Sequence, residues 1–302
     1  MIAVPAAFVA MLLLGSALAS ASATALAGTA GLKHERSIYA DERGGRLDAP
    51  EGVACAEGGK LVVADTGGGR LLVYAWRDGQ LRGGEEIKLP QLPYPTRVQM
   101  DGSGNLLALD GRLRRIARLD AGGRFAGYLD LRPRPPAEVV PIAFKVSARG
   151  DVYVLDAAGR RVLVASAAGR IMREVPLPRG GSFTDVAVGA GGKVYAIDAA
   201  SATLWVAGGA GGAFRPAAPS FRDRMRFPAD LAIDPGGRVF VVDRNGDAIA
   251  VLGADGSFEG SGLASGRGDG LLYYPAQICV TGSDVFVADR NNNRVQVFAI
   301  LR

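Results

Sequence analysis

The stretch Val285-Phe-Val-Ala-Asp289-Arg-Asn-Asn-Asn-Arg294-Val-Gln-Val-Phe298 decides how this chain folds. An apolar, β-favouring run halts on an aspartate, polar residues turn the chain, and a second such run follows, the pattern of two antiparallel strands joined by a tip. Upstream the first run recurs as Val239-Phe-Val-Val-Asp243, Val194-Tyr-Ala-Ile-Asp198, Val152-Tyr-Val-Leu-Asp156, Leu106-Leu-Ala-Leu-Asp110 and Leu61-Val-Val-Ala-Asp65. From first to last the aspartates are 45, 46, 42, 45 and 46 residues apart, a period that marks a repeat architecture. Pro50, Pro95, Pro141 and Pro228 each stand fifteen residues before their aspartate and Pro275 fourteen before Asp289, while the fourth copy has Phe183 in that slot. Between proline and aspartate lie another apolar run and a turn such as Asp101-Gly-Ser-Gly-Asn105 or Asp234-Pro-Gly-Gly-Arg238, so each unit opens with a hairpin. A third run, as in Arg161-Val-Leu-Val-Ala165, and a weaker fourth close the unit. Four short strands in about 45 residues, repeated six times, predict an all-β, six-bladed β-propeller of four-stranded antiparallel blades. The copies run at about 47–91, 92–135, 136–180, 181–223, 224–269 and 270–302.

The pattern Pro-x-x-aliphatic, then aliphatic-x-aliphatic-Ala-Asp, then Asn-x-Arg-aliphatic-x-Val-Phe resembles the NHL repeat, with the sixth copy the nearest match. The resemblance covers Leu47 to Ile300 and implies a propeller of the NHL or TolB-like kind. Copies one, two, three and six keep an arginine five residues after the aspartate, as Arg70, Arg115, Arg161 and Arg294; copies four and five have Thr203 and Ala248. An aspartate at a strand end accepts hydrogen bonds from backbone donors of the tip, and an arginine beside it ties adjacent strands. Asp65, Asp110, Asp156, Asp198, Asp243 and Asp289, with these arginines, are therefore expected to be structural.

Composition narrows the chemistry. With 48 % apolar and 22 % charged residues the chain is an ordinary globular one, and its 43 glycines follow no collagen-like period, so they punctuate turns. One histidine, His34, and two cysteines, Cys55 and Cys279, exclude three-histidine and four-cysteine zinc sites and a multi-disulfide framework. The glycine clusters Gly67-Gly-Gly69 and Gly208-Gly-Ala-Gly-Gly212 lack a following Lys-Ser/Thr, so no phosphate cradle is expected. Asp243-Arg-Asn-Gly-Asp247 opens like a calcium loop but has Ala248 and Ala254 where glycine and glutamate belong, and reads as a blade tip. Arg267-Gly-Asp269 reads as an adhesion tripeptide by coincidence.

No charge precedes Lys33, and Ile2 to Leu18 is largely apolar before an Ala/Ser/Thr-rich run. Residues 1–27 are expected to be an export signal, with an uncleaved membrane anchor as the alternative because the n-region has no Lys or Arg. Periplasmic or extracellular location follows. The last copy ends after its third strand, so residues 28–46 are expected to supply the missing outer strand of the ring that residues 47–302 form. Arg36-Ser-Ile-Tyr-Ala40 is the segment that would pair outside Arg294 to Ile300. Aligning copies one and six puts Cys55 and Cys279 one residue out of phase, on opposite sheet faces. Two readings stand: a disulfide across the seam between these neighbouring blades, or two small core thiols.

Ligands of blade-type rings meet the residues after each proline. Glu51, Arg97, Thr184, Asp185, Asp230 and Gln277 are the candidate ligand-binding residues at the channel mouth. Glu51, Asp185 and Asp230 would offer hard oxygens to calcium, and lactonases of the gluconolactonase and paraoxonase type are similar in placing axial oxygens around that ion. The post-proline positions hold no asparagine or histidine, and a mouth in which Arg97 balances the acids is the competing reading. The peptidyl-amidoglycolate lyase, another similar propeller, uses histidine-bound zinc, which one histidine cannot build. The net charge of +5 suggests attraction to anions, densest in blade two at Arg112, Arg114, Arg115, Arg118 and Arg124. Aromatics do not interleave with these arginines, so nucleic acid is not an expected partner.

The function read from the sequence is an exported, monomeric interaction or ligand-binding module, without cofactor, whose partner is an envelope or extracellular protein or a small or anionic ligand on the channel face. A calcium-dependent lactonase or esterase and a binder of anionic envelope polymers are the alternatives.

Overall fold

The structure, a computed structural model, describes Met1 and residues 31–301 apart from 134, 136 and 210. The expected leader, 1–27, lies outside the described residues except for Met1. Among the described residues no helix is long and apolar enough to cross a membrane.

Among the described residues, twenty-four strands form six four-stranded antiparallel sheets. Blade one is typical, with β2 (Gly52–Cys55) innermost, then β3 (Lys60–Asp65), β4 (Arg70–Arg77) and β5 (Gln80–Ile87) outward. The apolar runs ending in aspartate are the second strand of every blade, and their side chains alternate between two neighbouring blades. Leu61 and Val63 pack towards blade six while Val62 and Ala64 pack towards blade two. Such strands are buried on both faces and read as unbroken apolar runs. Six hydrophobic clusters result, one at each seam between neighbouring blades.

Blade six combines strands from both ends of the described chain. Its inner three strands are β22 (Ile278–Thr281), β23 (Asp284–Asp289) and β24 (Arg294–Ile300), and β1 (Leu32–Ile38) lies antiparallel outside β24. The closing strand begins four residues earlier than Arg36 and stops short of Ala40. Its register places Leu32 opposite Ile300 and Ile38 opposite Val295, with a bulge between His34 and Arg36. Leu32 thereby packs into the seam of blades five and six and Ile38 into that of blades six and one. Tyr39 is released from the strand, and its hydroxyl accepts a 2.9 Å hydrogen bond from Arg294.

Of the two readings of the cysteines, the structure takes the bridge: Cys55 and Cys279 form a disulfide between blades one and six, with Cα atoms 5.9 Å apart. At the same seam the Trp76 indole donates a 2.8 Å hydrogen bond to Asp284.

Candidate functional site at the channel mouth

Each inner strand runs away from the proline-led turn, so the starts of all six strands ring one mouth of the channel. A register shift follows the proline slot in blades two to five, and it fixes which residue faces the neighbouring blade. The residue opposite the one preceding each repeat aspartate is Gly52, Arg97, Ala143, Asp185 or Asp230 in blades one to five. Gln277 takes the place in blade six, its carbonyl accepting the Ala288 N–H at 2.9 Å.

Three of these side chains staple their blade to the next. Asp185 accepts the Leu231 N–H at 3.0 Å, Asp230 the Ile278 N–H at 2.9 Å and Gln277 the Val53 N–H at 2.9 Å. Gly52 closes the step from blade one to blade two by direct contact. A Cβ there would lie 2.7 Å from the Ala64 methyl and 3.2 Å from the Arg97 Cα, so glycine is required by proximity.

Arg97 belongs to blade two and Asp230 to blade five, which stand opposite each other in a ring of six. The Arg97 guanidinium crosses the axis, donating through Nη1 to Asp230 Oδ1 and through Nη2 to the Ala229 carbonyl. Lys145, two residues beyond Ala143 in blade three, places Nζ 3.1 Å from Asp185 and 3.5 Å from Asp230. Both carboxylates are wholly buried and both cations nearly so. The channel is therefore barred at this level by two cations and two acids.

The two acids are not equivalent. Burial, then the neighbouring charge of Asp230, pushes the Asp185 carboxyl up to about 7, and its Oδ1 has no partner among the described residues. Against the burial penalty, Lys145 and Arg97 hold the Asp230 carboxyl below the usual carboxylate range. Arg97 stays protonated despite burial because Asp230 and Asp185 face it. Between pH 3.8 and about 7 the folded chain keeps a proton on Asp185 that the unfolded chain has released. Stability contributed by that proton is complete below 3.8 and is lost as pH rises through about 7. Wild-type Tm is expected to fall across this window and level off above it, with the Asp185→Asn variant lacking the slope. Equal slopes in thermal unfolding at a pH series would refute the assignment.

The expectation that Glu51 joins Asp185 and Asp230 is corrected. Glu51 pairs instead with Arg290 at 2.9 Å, and Thr184 donates to the Pro228 carbonyl at 2.8 Å. Among the described residues no three His, Cys, Asp or Glu side chains group as a metal site would require.

A family model described as NHL repeat matches residues 272–298, the core of blade six. Blade six is an NHL repeat. No curated protein matches the chain by sequence. Among solved structures the whole ring is similar to a gluconolactonase from Xanthomonas campestris, at 18 % identity and a TM-score of 0.65 over 91 % of this chain and 92 % of that one. It is also similar to virginiamycin B lyase from Staphylococcus aureus, at 13 % identity and a TM-score of 0.63, covering 88 % of this chain and 99 % of the lyase. At these identities the likeness shows the fold, a six-bladed propeller.

In the NHL repeat of blade six, Arg294 Nε donates to Asp289 at 2.8 Å and Asp289 accepts the Tyr273 N–H at 2.8 Å. The other five aspartates likewise accept a backbone N–H from just ahead of their inner strand: Asp48 on Asp65, Tyr94 on Asp110, Val140 on Asp156, Ser182 on Asp198 and Phe227 on Asp243. Arg70 and Arg161 pair with Asp65 and Asp156 at 2.7 and 3.0 Å. Arg115 departs from the NHL pattern, lying 3.5 Å over the Tyr128 ring instead of on Asp110. Asp269 of the Arg-Gly-Asp tripeptide is engaged by Ser37, at 2.6 Å, and by Arg294.

The arginines of blade two do not form one patch. Arg112, Arg114 and Arg115 sit at the tip, and Arg112 lies 4.2 Å over Tyr94. Arg118 and Arg124 are at the opposite end of that strand pair, donating to the Ala167 carbonyl and to Asp120.

Sequence reasoning missed Lys145, Arg244 and Arg290. Lys145 carried a signal, being a cation in the apolar inner-strand run Pro141-Ile-Ala-Phe-Lys145. Arg244 and Arg290 share one too, since both directly follow a repeat aspartate, where the first four copies have Thr66, Gly111, Ala157 and Ala199.

Proposed function

We propose that the chain is an exported, non-catalytic binding module, working as a monomer, that receives its ligand or partner at the channel mouth. The observation that carries this reading is the Arg97–Asp230 pair across the axis, joined by Lys145 on Asp185 and Asp230. Calcium needs several free oxygens at one point. Here the two axial carboxylates already face two cations and two backbone N–H groups, and Glu51 serves Arg290. That donor set does not fit the metal which a lactonase-type reading requires, so no hydrolytic step is derived through it. A histidine-to-alanine variant of the S. aureus lyase is catalytically inactive. The one histidine of this chain, His34, lies on the closing outer strand β1, paired opposite Phe298. The Cys55–Cys279 disulfide supports export to an oxidising compartment. The spread of the blade-two arginines lends no contiguous face to an anionic-polymer reading.

Calorimetry at millimolar calcium, beside a panel of lactones and aryl esters, is expected to give neither binding heat nor turnover. Saturable calcium binding accompanied by hydrolysis would overturn the reading.

A further inference from the structure

Arg244 is a cation at the mouth that the fold sets near two aromatic rings, Phe227 and Tyr274, and, among the described residues, without an ion pair. Its backbone N–H donates to the Phe227 carbonyl at 2.9 Å, which fixes the blade-five tip. Its guanidinium makes no ion pair and no hydrogen bond among the described residues, and its Nε is buried without a partner. An unpaired buried donor of this kind is costly to keep. Arg290, at the equivalent place in blade six, has Glu51; Arg244 has none. Burial and then the charge of Arg97 pull the Arg244 pKa down, as expected for a cation placed beside another cation.

The surroundings indicate what would complete it. Tyr274, 36 % exposed, has its ring centre 5.5 Å from Arg244 and 5.8 Å from Arg290, and the Phe227 ring lies 5.9 Å from Arg244. Of the carboxyls near the mouth, Glu51 serves Arg290, Asp185 and Asp230 serve Lys145 and Arg97, and Asp247 takes the Tyr274 N–H and the Ser265 hydroxyl. Among the described residues the Arg244 guanidinium, unlike those three cations, is left without a carboxylate, and a planar guanidinium takes one in a two-point contact. We propose that the channel mouth binds a small organic carboxylate, its charge on the Arg244 guanidinium and its flat apolar body against Tyr274 and Phe227. This rests on the reading of the mouth as a binding site and names the class of ligand it takes.

The test is titration calorimetry of the full propeller with benzoate, benzamide, acetate and inorganic phosphate. Benzoate is expected to bind saturably. Arg244→Gln should weaken it about ten- to a hundredfold, the weight of one charge-assisted contact. Benzamide, the neutral isostere, should not bind. Tyr274→Leu keeps the charge and should weaken benzoate while leaving acetate unchanged, which separates loss of the apolar contact from loss of the fold. Arg115→Gln, on the outer tip of blade two, should bind benzoate as the wild type does. The proposal is overturned if benzoate gives no saturable heat, if Arg115→Gln weakens it as much as Arg244→Gln, or if phosphate binds as tightly as benzoate. Calcium and ester assays on the same sample keep the two readings apart: absent benzoate binding with absent hydrolysis removes only the carboxylate assignment.

Discussion

Arg97→Met is expected to lower the unfolding free energy by about 3–5 kcal/mol, the usual result of removing one member of a buried ion pair. Methionine fills much of the same volume, so the loss comes from charge and not from a cavity. What remains is Asp230, wholly buried, with Lys145 at 3.5 Å and the Ile278 N–H at 2.9 Å as its partners. The double variant Arg97→Met/Asp230→Asn should recover part of the loss, because neither charge is then left unmatched across the axis. Urea denaturation of the wild type, both single variants and the double variant measures this coupling. A loss below about 1 kcal/mol for Arg97→Met, the range of exposed pairs, would mean that the channel is wet at this level and that the bar does not hold opposite blades together.

Cys55→Ser/Cys279→Ser is expected to cost a similar amount, about 3–5 kcal/mol, for a different reason. The bridge closes a loop with a sequence separation of 224, and its removal restores freedom to the unfolded chain. The folded seam keeps other contacts, among them the Trp76–Asp284 hydrogen bond and the cluster of Ile38, Tyr74, Trp76, Phe286 and Val297. The variant should therefore fold at low temperature and melt earlier. Reduction of the wild type should reproduce that melting temperature, and reduction of the variant should leave it where it is. Unchanged melting on reduction would show that these contacts alone close the ring.

The blades were legible because each second strand is apolar on both faces and ends on a buried aspartate, so one signature recurs whatever the loops do. The mouth was legible only in part, and the reason is a single residue of phase. Glu51 and Thr184 stand one residue after the proline slot, while Arg97, Asp185, Asp230 and Gln277 stand two after it. Side chains alternate along a regular strand, and Glu51 turns back to Arg290 of blade six, but Thr184 sits inside the register shift and reaches blade five just as Asp185 does. Lys145, four residues after Pro141, is in phase with the second set and joins it. Counting two and four residues from the slot picks out the buried acids and amide and adds the lysine, but the register shift that puts Thr184 beside them has no mark in the sequence. Arg115 shows the opposite limit, since no local rule announces that Tyr128, on the outer strand of its own blade, will take the guanidinium from Asp110.

The closing strand has a consequence for the order of events during synthesis. Among the described strands β1 is the first in sequence and pairs with β24, which comes more than two hundred and fifty residues later; Cys55 likewise waits for Cys279. Five blades are assembled from neighbouring sequence, whereas β1 must wait some 260 residues for its partner β24, a long-range pairing of the kind that folds slowly. Until then both β1 and β24 present open edges. The ring is in effect a clasp fastened last, and the interval before it fastens is when this chain is most exposed to pairing with another copy of itself.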